Sequence, residues 1–431
     1  MQYRKIETAN LGRRGFLGLA GLGAAAAAMP APLWAMAQDS YPTVRAKITE
    51  FVAQKKVANA LAAIGRGSAA PEVIAAGTLA LGDSNAVDID TIYRVYSMTK
   101  PVTGMAAMIL IGEGKMKLDQ PISDFLPEFK DMTVLTDPAN SLEAVPAKNA
   151  ITVRHLLTHT AGLGYTIITK GPLLQAYLEN GLAPGAVSKL ELPGFPKPAP
   201  TPDFKTFSER LAKLPLIAEP GTKWSYSLGL DLMGRVIEVV SGMEFGAFLK
   251  ARIFDPLKMN SSYFQVPKSE IPRLTTNYGL LFGSLIPIDP AADSVYLDAP
   301  AFPSGGGGMA STARDYDRFL HMLMNFGELD GERIMALETA KLGMSNLLPA
   351  GVDVSGTWID QAGHGAGGRV GLGQQAGSFG WGGAAGTNAF VHTGLKLRAT
   401  GMTQYMPADV LPFQRQFPEW VIADVLAQMG L

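Results

Sequence analysis

The sequence predicts an α+β fold, in which an antiparallel sheet is flanked by helices and a helical region is inserted between its strands. Two observations support this. Strand-like segments lie towards both ends of the chain, near 57–81 and 381–403, whereas helical periodicity dominates between them, broken by a proline-rich loop at 192–202. An amphipathic helix is predicted at 41–54 and a terminal helix at 419–429. A sheet built from both ends of a chain is covered by such helices.

The composition sets the first limits on function. The chain has 431 residues, of which 47% are hydrophobic and 17% charged, so it can bury one large core or two adjoining ones. It has no cysteine, which excludes disulfides, thiol catalysis and cysteine-bound metal. The net charge of −1 and the absence of basic clusters predict that neither nucleic acid nor an anionic membrane is a partner.

The amino terminus carries a predicted export signal. Arg13 and Arg14 are followed by Gly-Phe-Leu and by a stretch without charge at 16–34. Residues 35–37, Ala-Met-Ala, have the small-x-small pattern of a signal-peptidase site. The paired arginines resemble a twin-arginine export signal. Residues 1–37 are therefore predicted to be a signal peptide.

An uncleaved membrane anchor is the alternative for this segment. The uncharged stretch is long enough to span a bilayer, but Gly and Ala make it weakly hydrophobic, and Pro30 and Pro32 interrupt it. Cleavage is the favoured interpretation and predicts no stable membrane insertion afterwards. Residues 38–431 would then form one domain, located in the periplasm of a bacterium or outside the cell.

Ser97 and Lys100 form a candidate nucleophile and base. They stand three positions apart where a helix is predicted to begin, so their side chains share one face. Pro101 suits a first helical turn, and an apolar run at 102–111 predicts a buried helix. A lysine can deprotonate a serine only if its pKa falls from about 10.4 towards neutrality. The alternative is a helix-capping serine beside a solvated lysine.

Tyr226 is the second candidate. It precedes a periodic helix predicted at 229–241, which Gly242 ends. Near a lysine, a phenol can lose its proton more easily and pass protons to a leaving group. A plain packing role for Tyr226 is the open alternative.

A glycine-rich segment at 377–391, which contains Trp381, is the third candidate. Glycine weakens a strand interior, so such a cluster indicates that another molecule or backbone comes close, and one exposed N–H there could bind an oxyanion. We predict that one strand begins at Trp381 and ends in a turn at 392–394. A hairpin with glycine-rich turns is the alternative.

These three motifs, in this order, resemble the serine β-lactamase and penicillin-binding-protein superfamily, and specifically class C β-lactamases and family VIII carboxylesterases. The likeness spans residues 45–430. Further segments that resemble blocks of the family are 114–121 with 124–129, 151–163 and 304–312. The resemblance implies the serine β-lactamase-like form of the α+β fold.

The resemblance also implies a role for each residue. Ser97 would be the acylated nucleophile, Lys100 the base that deprotonates it, and Tyr226 the proton relay. Backbone N–H groups of Ser97 and Ala384 would bind the oxyanion, and the third motif, Trp381-Gly382-Gly383, would line the substrate site. No cofactor and no metal are implied.

Two departures from the β-lactamase pattern favour small neutral esters as substrates. Trp381 replaces a lysine that would pair with the carboxylate of a β-lactam, an interaction worth about 1.5 to 3 kcal/mol. Leu228 replaces an asparagine that would bind the amide of the drug. Short-chain carboxylic esters are therefore the predicted substrates. The alternatives are a β-lactamase, a D-amino-acid peptidase or transpeptidase, and a catalytically silent binding protein.

The histidines suggest no competing site. His155 and His159 have the spacing of two ligands on one helical face, but no carboxylate or cysteine lies nearby in the sequence to complete a metal site. Helix-surface or capping contacts are expected for both. His321, His364 and His392 lack a flanking motif, so a Ser-His-Asp triad with distant partners stays open without selecting any of them.

Overall fold

The computed structural model describes residues 40–183, 185, 187–190, 200–281 and 283–431. The predicted signal peptide lies outside the described residues, and so do positions 192–199 of the predicted proline-rich loop. Ser40–Leu431 is one compact unit. No helix in the described part of the chain has both the length and the apolar character that crossing a membrane requires.

Strands from the two ends of the chain build the main sheet. The strands, numbered along the chain, are β1 (Asn59–Arg66), β2 (Glu72–Gly77), β3 (Ile92–Arg94), β4 (Thr133–Leu135), β5 (Ala144–Pro146), β6 (Asn277–Leu281), β7 (Ser284–Asp289), β8 (Ala310–Thr312), β9 (Glu328–Leu329), β10 (Glu332–Arg333), β11 (Gly363–His364), β12 (Arg369–Val370), β13 (Ser378–Gly383), β14 (Thr387–His392), β15 (Leu397–Met402) and β16 (Tyr405–Met406). Seven of these described strands form one sheet in the order β11-β12-β13-β14-β15-β1-β2. Every neighbouring pair in it is antiparallel, as predicted.

Helices cover both faces of this sheet. The α-helices of the described residues are α1 (Pro42–Ala53), α2 (Thr99–Gly112), α3 (Val153–Leu157), α4 (Gly171–Glu179), α5 (Phe204–Leu211), α6 (Gly229–Ser241), α7 (Phe245–Leu249), α8 (Ala313–Met324), α9 (Leu337–Gly343) and α10 (Phe413–Gln428), and four of them pack on the sheet. Helices α1 and α10 pack on one face, and α2 and α8 pack on the other. Strand β1 contributes side chains to both faces. Ile64 belongs to the hydrophobic cluster that includes α1 and α10, and Leu61 belongs to the cluster that includes α2 and α8. The predicted α+β class is confirmed.

The predicted start of the last helix was wrong. We expected the helix to span 419–429, but α10 begins at Phe413 and runs through Pro418. A proline has no N–H, so the carbonyl of Gln414, four residues earlier, loses its helical partner. Asn388 Nδ2 on β14 donates to that carbonyl over 3.0 Å. A contact from another strand therefore satisfies the acceptor that the proline leaves free.

The predicted single strand from Trp381 was also wrong, and the hairpin alternative is correct. Strands β13 and β14 pair antiparallel, and the turn between them, 384–386, has Gly386 in the left-handed region at φ +80°. The turn predicted at 392–394 begins one residue later, because His392 is the last residue of β14. Ala384 therefore opens a tight turn at the end of β13.

Candidate active site

A strained turn presents Ser97. Ser97 is half-buried in a 3-10 turn, Tyr96–Met98, that leads directly into α2. Tyr96 has φ +42°, a conformation that residues with side chains seldom adopt. Its ring packs edge-on against Tyr296 with centroids 6.2 Å apart, and its hydroxyl accepts a 3.2 Å hydrogen bond from Asn277. These contacts hold the strain, which is typical of functional positions.

Lys100 lies one turn further on and is fully buried. Its Nζ donates to Ser97 Oγ over 3.2 Å and to the carbonyl oxygen of Gly306 over 2.5 Å. The helical spacing thus brings the amine to the hydroxyl, as predicted from the sequence. The alternative of a solvated lysine is wrong, because the lysine is enclosed by protein.

Tyr226 reaches the same serine from another part of the chain. Its side chain is 3% exposed, and its hydroxyl donates to Ser97 Oγ over 2.7 Å. Lys100 Nζ lies 4.4 Å from the centroid of the Tyr226 ring. Helix α6 begins and ends where predicted, and Gly242 follows it at φ +71°. The loop before α6 therefore delivers the phenol to Ser97.

The glycine-rich motif lies against the turn that carries Ser97. The ring of Trp381 stacks on that of Tyr226, with centroids 5.8 Å apart and planes inclined by 24°. A Cβ atom at Gly383 would lie 2.2 Å from the carbonyl oxygen of Val95, two residues before Ser97. Only glycine permits this approach. The backbone of Ala384, which follows Gly383, is thereby brought beside the nucleophile turn.

Asp231 was not predicted, although it holds the segment that contacts Lys100. Oδ1 of Asp231 accepts hydrogen bonds from Ser304 Oγ at 2.5 Å and from the Gly306 N–H at 3.0 Å. The carbonyl of Gly306 in turn accepts from Lys100. A Cβ at Gly306 would lie 2.2 Å from Oδ2 of Asp231, so glycine is required there. This explains the glycine run in a segment that the sequence identified only by resemblance.

The carboxyl group of Asp231 is buried, and its Oδ2 has no hydrogen-bond partner among the described residues. Burial raises the pKa of Asp231, while the positive charge of Lys100 and the Ser304 hydrogen bond act in the opposite direction. The sequence contained a signal that could have identified Asp231. An acidic residue in the first turn of a buried helix, five positions after Tyr226, predicts a hydrogen-bond partner for its carboxyl group.

Tyr165 completes the aromatic surroundings of Tyr226 and Lys100. Its ring centroid lies 5.3 Å from that of Tyr226 and 5.5 Å from Lys100 Nζ. Burial raises the pKa of Tyr165 well above its ordinary value, and the charge of Asp231 adds to the effect. Tyr165 is therefore a neutral aromatic neighbour, and no sequence motif singled it out.

The expectation for the two nearby histidines was right for one and wrong for the other. His155 caps α3, because its Nδ1 accepts from the Thr152 N–H over 3.2 Å. His159 lies beyond the end of α3, at φ +57°, so the helical relation between the two does not hold. Its buried ring lies 4.8 Å from the Tyr226 ring, between centroids. His159 therefore supports Tyr226 and is not a surface or capping residue.

The ring of His364 packs edge-on against the ring of His159, with centroids 5.4 Å apart. The Ser227 N–H donates to Nδ1 of His159, so the proton of that ring is on Nε2. Nδ1 of His364 donates to the Gly365 carbonyl. Burial, with the nearby charge of Lys100, lowers the pKa of His364 to about 4, and burial also lowers that of His159. Both rings are therefore neutral.

The hydrogen bonds decide between the catalytic alternatives. Among the described residues, Ser97 Oγ bonds to Lys100 and Tyr226, and no histidine bonds to it, so a Ser-His-Asp triad at Ser97 is absent. The same part of the chain contains no group of three or more His, Asp or Glu residues able to hold a metal ion. A hydroxyl placed between a buried amine and a phenol is suited to acyl transfer.

Comparisons with known proteins agree with this arrangement. The family model described as Beta-lactamase matches residues 44–414. Protein Rv1367c of Mycobacterium tuberculosis (strain ATCC 25618 / H37Rv) is 34% identical over 254 residues, which are 59% of this chain and 59% of that protein. The chain thus matches less than two thirds of that relative's length. Esterase EstB of Burkholderia gladioli is 30% identical over 331 residues, 73% of this chain and 77% of EstB.

Solved structures share the fold. The structure of EstCE1, a hydrolase with promiscuous acyltransferase activity, superposes with a TM-score of 0.71 at 24% identity, over 90% of this chain and 98% of that one. At this identity the likeness concerns the fold. The serine β-lactamase-like fold and the resemblance to family VIII esterases are thus confirmed. Since the family model covers most of its length, the chain belongs to the β-lactamase family.

Proposed function

We propose that this protein is a carboxylesterase that cleaves short-chain esters through an acyl-enzyme on Ser97. One observation carries the proposal. Ser97 Oγ lies 3.2 Å from Lys100 Nζ and 2.7 Å from the Tyr226 hydroxyl, so a proton acceptor and a proton donor flank one nucleophile. Family membership and the esterase relative EstB support this reaction class.

In the first half-reaction, the amine of Lys100 takes the proton of the Ser97 hydroxyl while Oγ attacks the ester carbonyl carbon. The backbone N–H groups of Ser97 and Ala384 bind the oxyanion that forms. When the tetrahedral intermediate collapses, Tyr226 gives its proton to the alcohol oxygen. Lys100, 4.4 Å from the Tyr226 ring centroid, returns the proton to the phenol. The alcohol leaves and Ser97 is acylated.

In the second half-reaction, water replaces the alcohol and the sequence runs in reverse. The Tyr226 phenol first passes its proton to the amine of Lys100, and the resulting phenolate takes a proton from the attacking water, whose oxygen forms a bond to the acyl carbon. The bond between that carbon and Ser97 Oγ then breaks, and the serine oxygen recovers a proton from Lys100. The carboxylic acid is released. Each group returns to its starting state, so no other reactant is needed.

The surroundings favour esters over β-lactams. Trp381 stacks on Tyr226 where a β-lactam carboxylate would need a cation, and an indole offers only one neutral N–H. The buried side chain of Leu228 cannot bond an amide. A neutral ester needs neither anchor. The same two residues weaken the proposal of a D-amino-acid peptidase, whose substrates also carry a carboxylate and amides.

A covalent probe and a pair of substrates test the proposal. We expect a fluorophosphonate to label Ser97, as located by mass spectrometry, and the wild type to hydrolyse p-nitrophenyl butyrate much faster than a chromogenic cephalosporin. Ser97→Ala should abolish ester turnover. Ser378→Ala, a matched control on β13, should retain ester turnover. The Ser378 hydroxyl donates to the Gln375 carbonyl and not to the reacting groups. Label on another residue would refute the mechanism, and faster cephalosporin hydrolysis would reverse the substrate assignment.

A further inference from the structure

Trp358 places a large apolar ring beside the candidate active site. Its side chain is 59% exposed, and its ring centroid lies 4.8 Å from that of Tyr226. It also lies 6.4 Å from the ring of Trp224, which is buried. Isolated exposed apolar residues are common on protein surfaces and need no explanation. Exposure alone therefore does not assign a function to Trp358.

The loop that carries Trp358 is fixed to the protein on both sides of the ring. The backbone N–H of Trp224 donates to the Asp353 carbonyl, and the backbone N–H of Asp353 donates to the Thr222 carbonyl, both over 2.9 Å. Ile359, the next residue after Trp358, is completely buried. These anchors attach the backbone of the loop to the protein before and after Trp358. The indole itself is largely exposed and lies beside Tyr226.

The position of Tyr226 indicates which part of an ester would meet this ring. In the proposed mechanism, the ester carbonyl oxygen faces the N–H groups of Ser97 and Ala384. The alcohol oxygen must lie within hydrogen-bond distance of the Tyr226 hydroxyl, because it receives that proton. The rest of the alcohol then extends from Tyr226, the residue against which Trp358 packs.

We propose that Trp358 is a specificity-determining residue that binds the alcohol part of the substrate and favours esters of aromatic alcohols. The inference rests on the proposed function and adds the substrate class to it. An aryl group can stack on the indole and remove apolar surface of both from water. Contacts between aromatic rings of this kind correspond to a factor of about three to ten in kcat/KM.

Two butyrate esters that differ only in their alcohol test the inference. We expect Trp358→Ala to lower kcat/KM for benzyl butyrate about threefold to tenfold more than for ethyl butyrate. Trp358→Phe should restore most of the difference. Both esters form the same butyryl-enzyme, so the rate of deacylation, measured by single turnover, should change equally little for both. The benzyl-to-ethyl ratio of kcat/KM therefore reports on the alcohol, and the deacylation rate is the internal control for a general loss of activity.

A matched control comes from the far edge of the main sheet. Val73 on β2 is 37% exposed and apolar, and β2 is four strands from β13, or about 19 Å. Val73→Ala should leave both esters unaffected. An unchanged benzyl-to-ethyl ratio in Trp358→Ala would overturn the inference. An effect that follows the acyl chain, tested with acetates against butyrates of one alcohol, would also overturn it.

A binding measurement separates this inference from the proposed function. Failure of the proposed function appears as loss of all ester turnover in the wild type or as a phosphonate label away from Ser97. Binding of benzyl alcohol to Ser97→Ala protein, followed by ligand-detected NMR, requires no turnover. We expect weaker binding when Trp358→Ala is added, and equal binding would refute the role of Trp358.

Discussion

The Tyr226 hydroxyl donates a 2.7 Å hydrogen bond to Ser97 Oγ across a separation of 129 positions in the sequence. Lys100 donates to the same oxygen, and its Nζ also faces the Tyr226 ring. The serine oxygen is therefore held between two groups that can exchange protons with it. The contribution of each group can therefore be measured by substituting one of them while the other is kept.

Removing the Tyr226 hydroxyl should slow catalysis without unfolding the protein. We expect Tyr226→Phe to lower kcat for p-nitrophenyl butyrate by a factor of about 10² to 10⁴, the usual contribution of a general acid or base. The ring keeps its packing against Trp381 and His159, so the melting temperature should change little. Tyr165→Phe is the matched control and should retain near wild-type kcat. A Tyr226→Phe variant with half the wild-type rate would contradict the proposed relay.

The carboxyl of Asp231 should stabilise the segment at 304–306 mainly because its Oδ1 accepts hydrogen bonds there, and less because it is charged. Asp231→Ala leaves the Ser304 hydroxyl and the Gly306 N–H without their acceptor, which should cost about 1 to 3 kcal/mol of unfolding free energy. It also frees the segment that contacts Lys100, so kcat should fall at least about tenfold. Asp231→Asn keeps an oxygen at this place and should be milder in both respects.

The pH dependence of these two variants gives a sharper readout. Burial raises the pKa of Asp231 in the folded protein, so its carboxyl contributes stability at low pH that is lost as pH rises through the folded pKa. Asp231→Asn should therefore melt relatively better at pH 8 than at pH 4, compared with the wild type. Thermal melts at the two pH values measure this. Equal shifts at both values would show that Asp231 carries no raised pKa.

His364 should make the protein less stable in acid. Its pKa is about 4 in the folded protein, against 6.5 ordinarily, so the unfolded chain binds the proton more readily. Its contribution is complete above pH 6.5 and is lost as pH falls from there to 4, in total roughly 3 kcal/mol. His364→Gln should flatten the dependence of melting temperature on pH in this window. An unchanged slope would contradict the prediction.

A methyl group at Gly383 should damage catalysis by displacing β13 from the nucleophile turn. Its Cβ would lie 2.2 Å from the Val95 carbonyl oxygen, which is not sterically possible without movement. We expect Gly383→Ala to lower kcat/KM at least about 10²-fold, as displacements of 1 Å can. Gly394→Ala, at the other end of the hairpin, meets nothing closer than 3.4 Å and should be nearly neutral. Similar kinetics for the two variants would show that the close approach of Gly383 to Val95 does not affect catalysis.

Local patterns were read correctly from the sequence because they need only neighbouring residues. The spacing of Ser97 and Lys100 places both on one helical face, and the periodicity before Gly242 gives the bounds of α6. Predictions failed where a distant contact replaced a local rule. Asn388 allows α10 to pass through Pro418, and His159 reaches Tyr226 only because the chain turns left-handed after α3.

The sequence by itself determined the sheet-and-helix layout, the family and the three motifs, because periodicity and short spacings are properties of the covalent chain. Only the tertiary structure decided that Asp231, Tyr165 and His364 surround the reacting groups and that the exposed ring of Trp358 packs beside Tyr226. Such contacts join residues far apart in the chain. They depend on how buried surfaces pack and on which polar atoms find partners, and both are set only when the whole chain is folded.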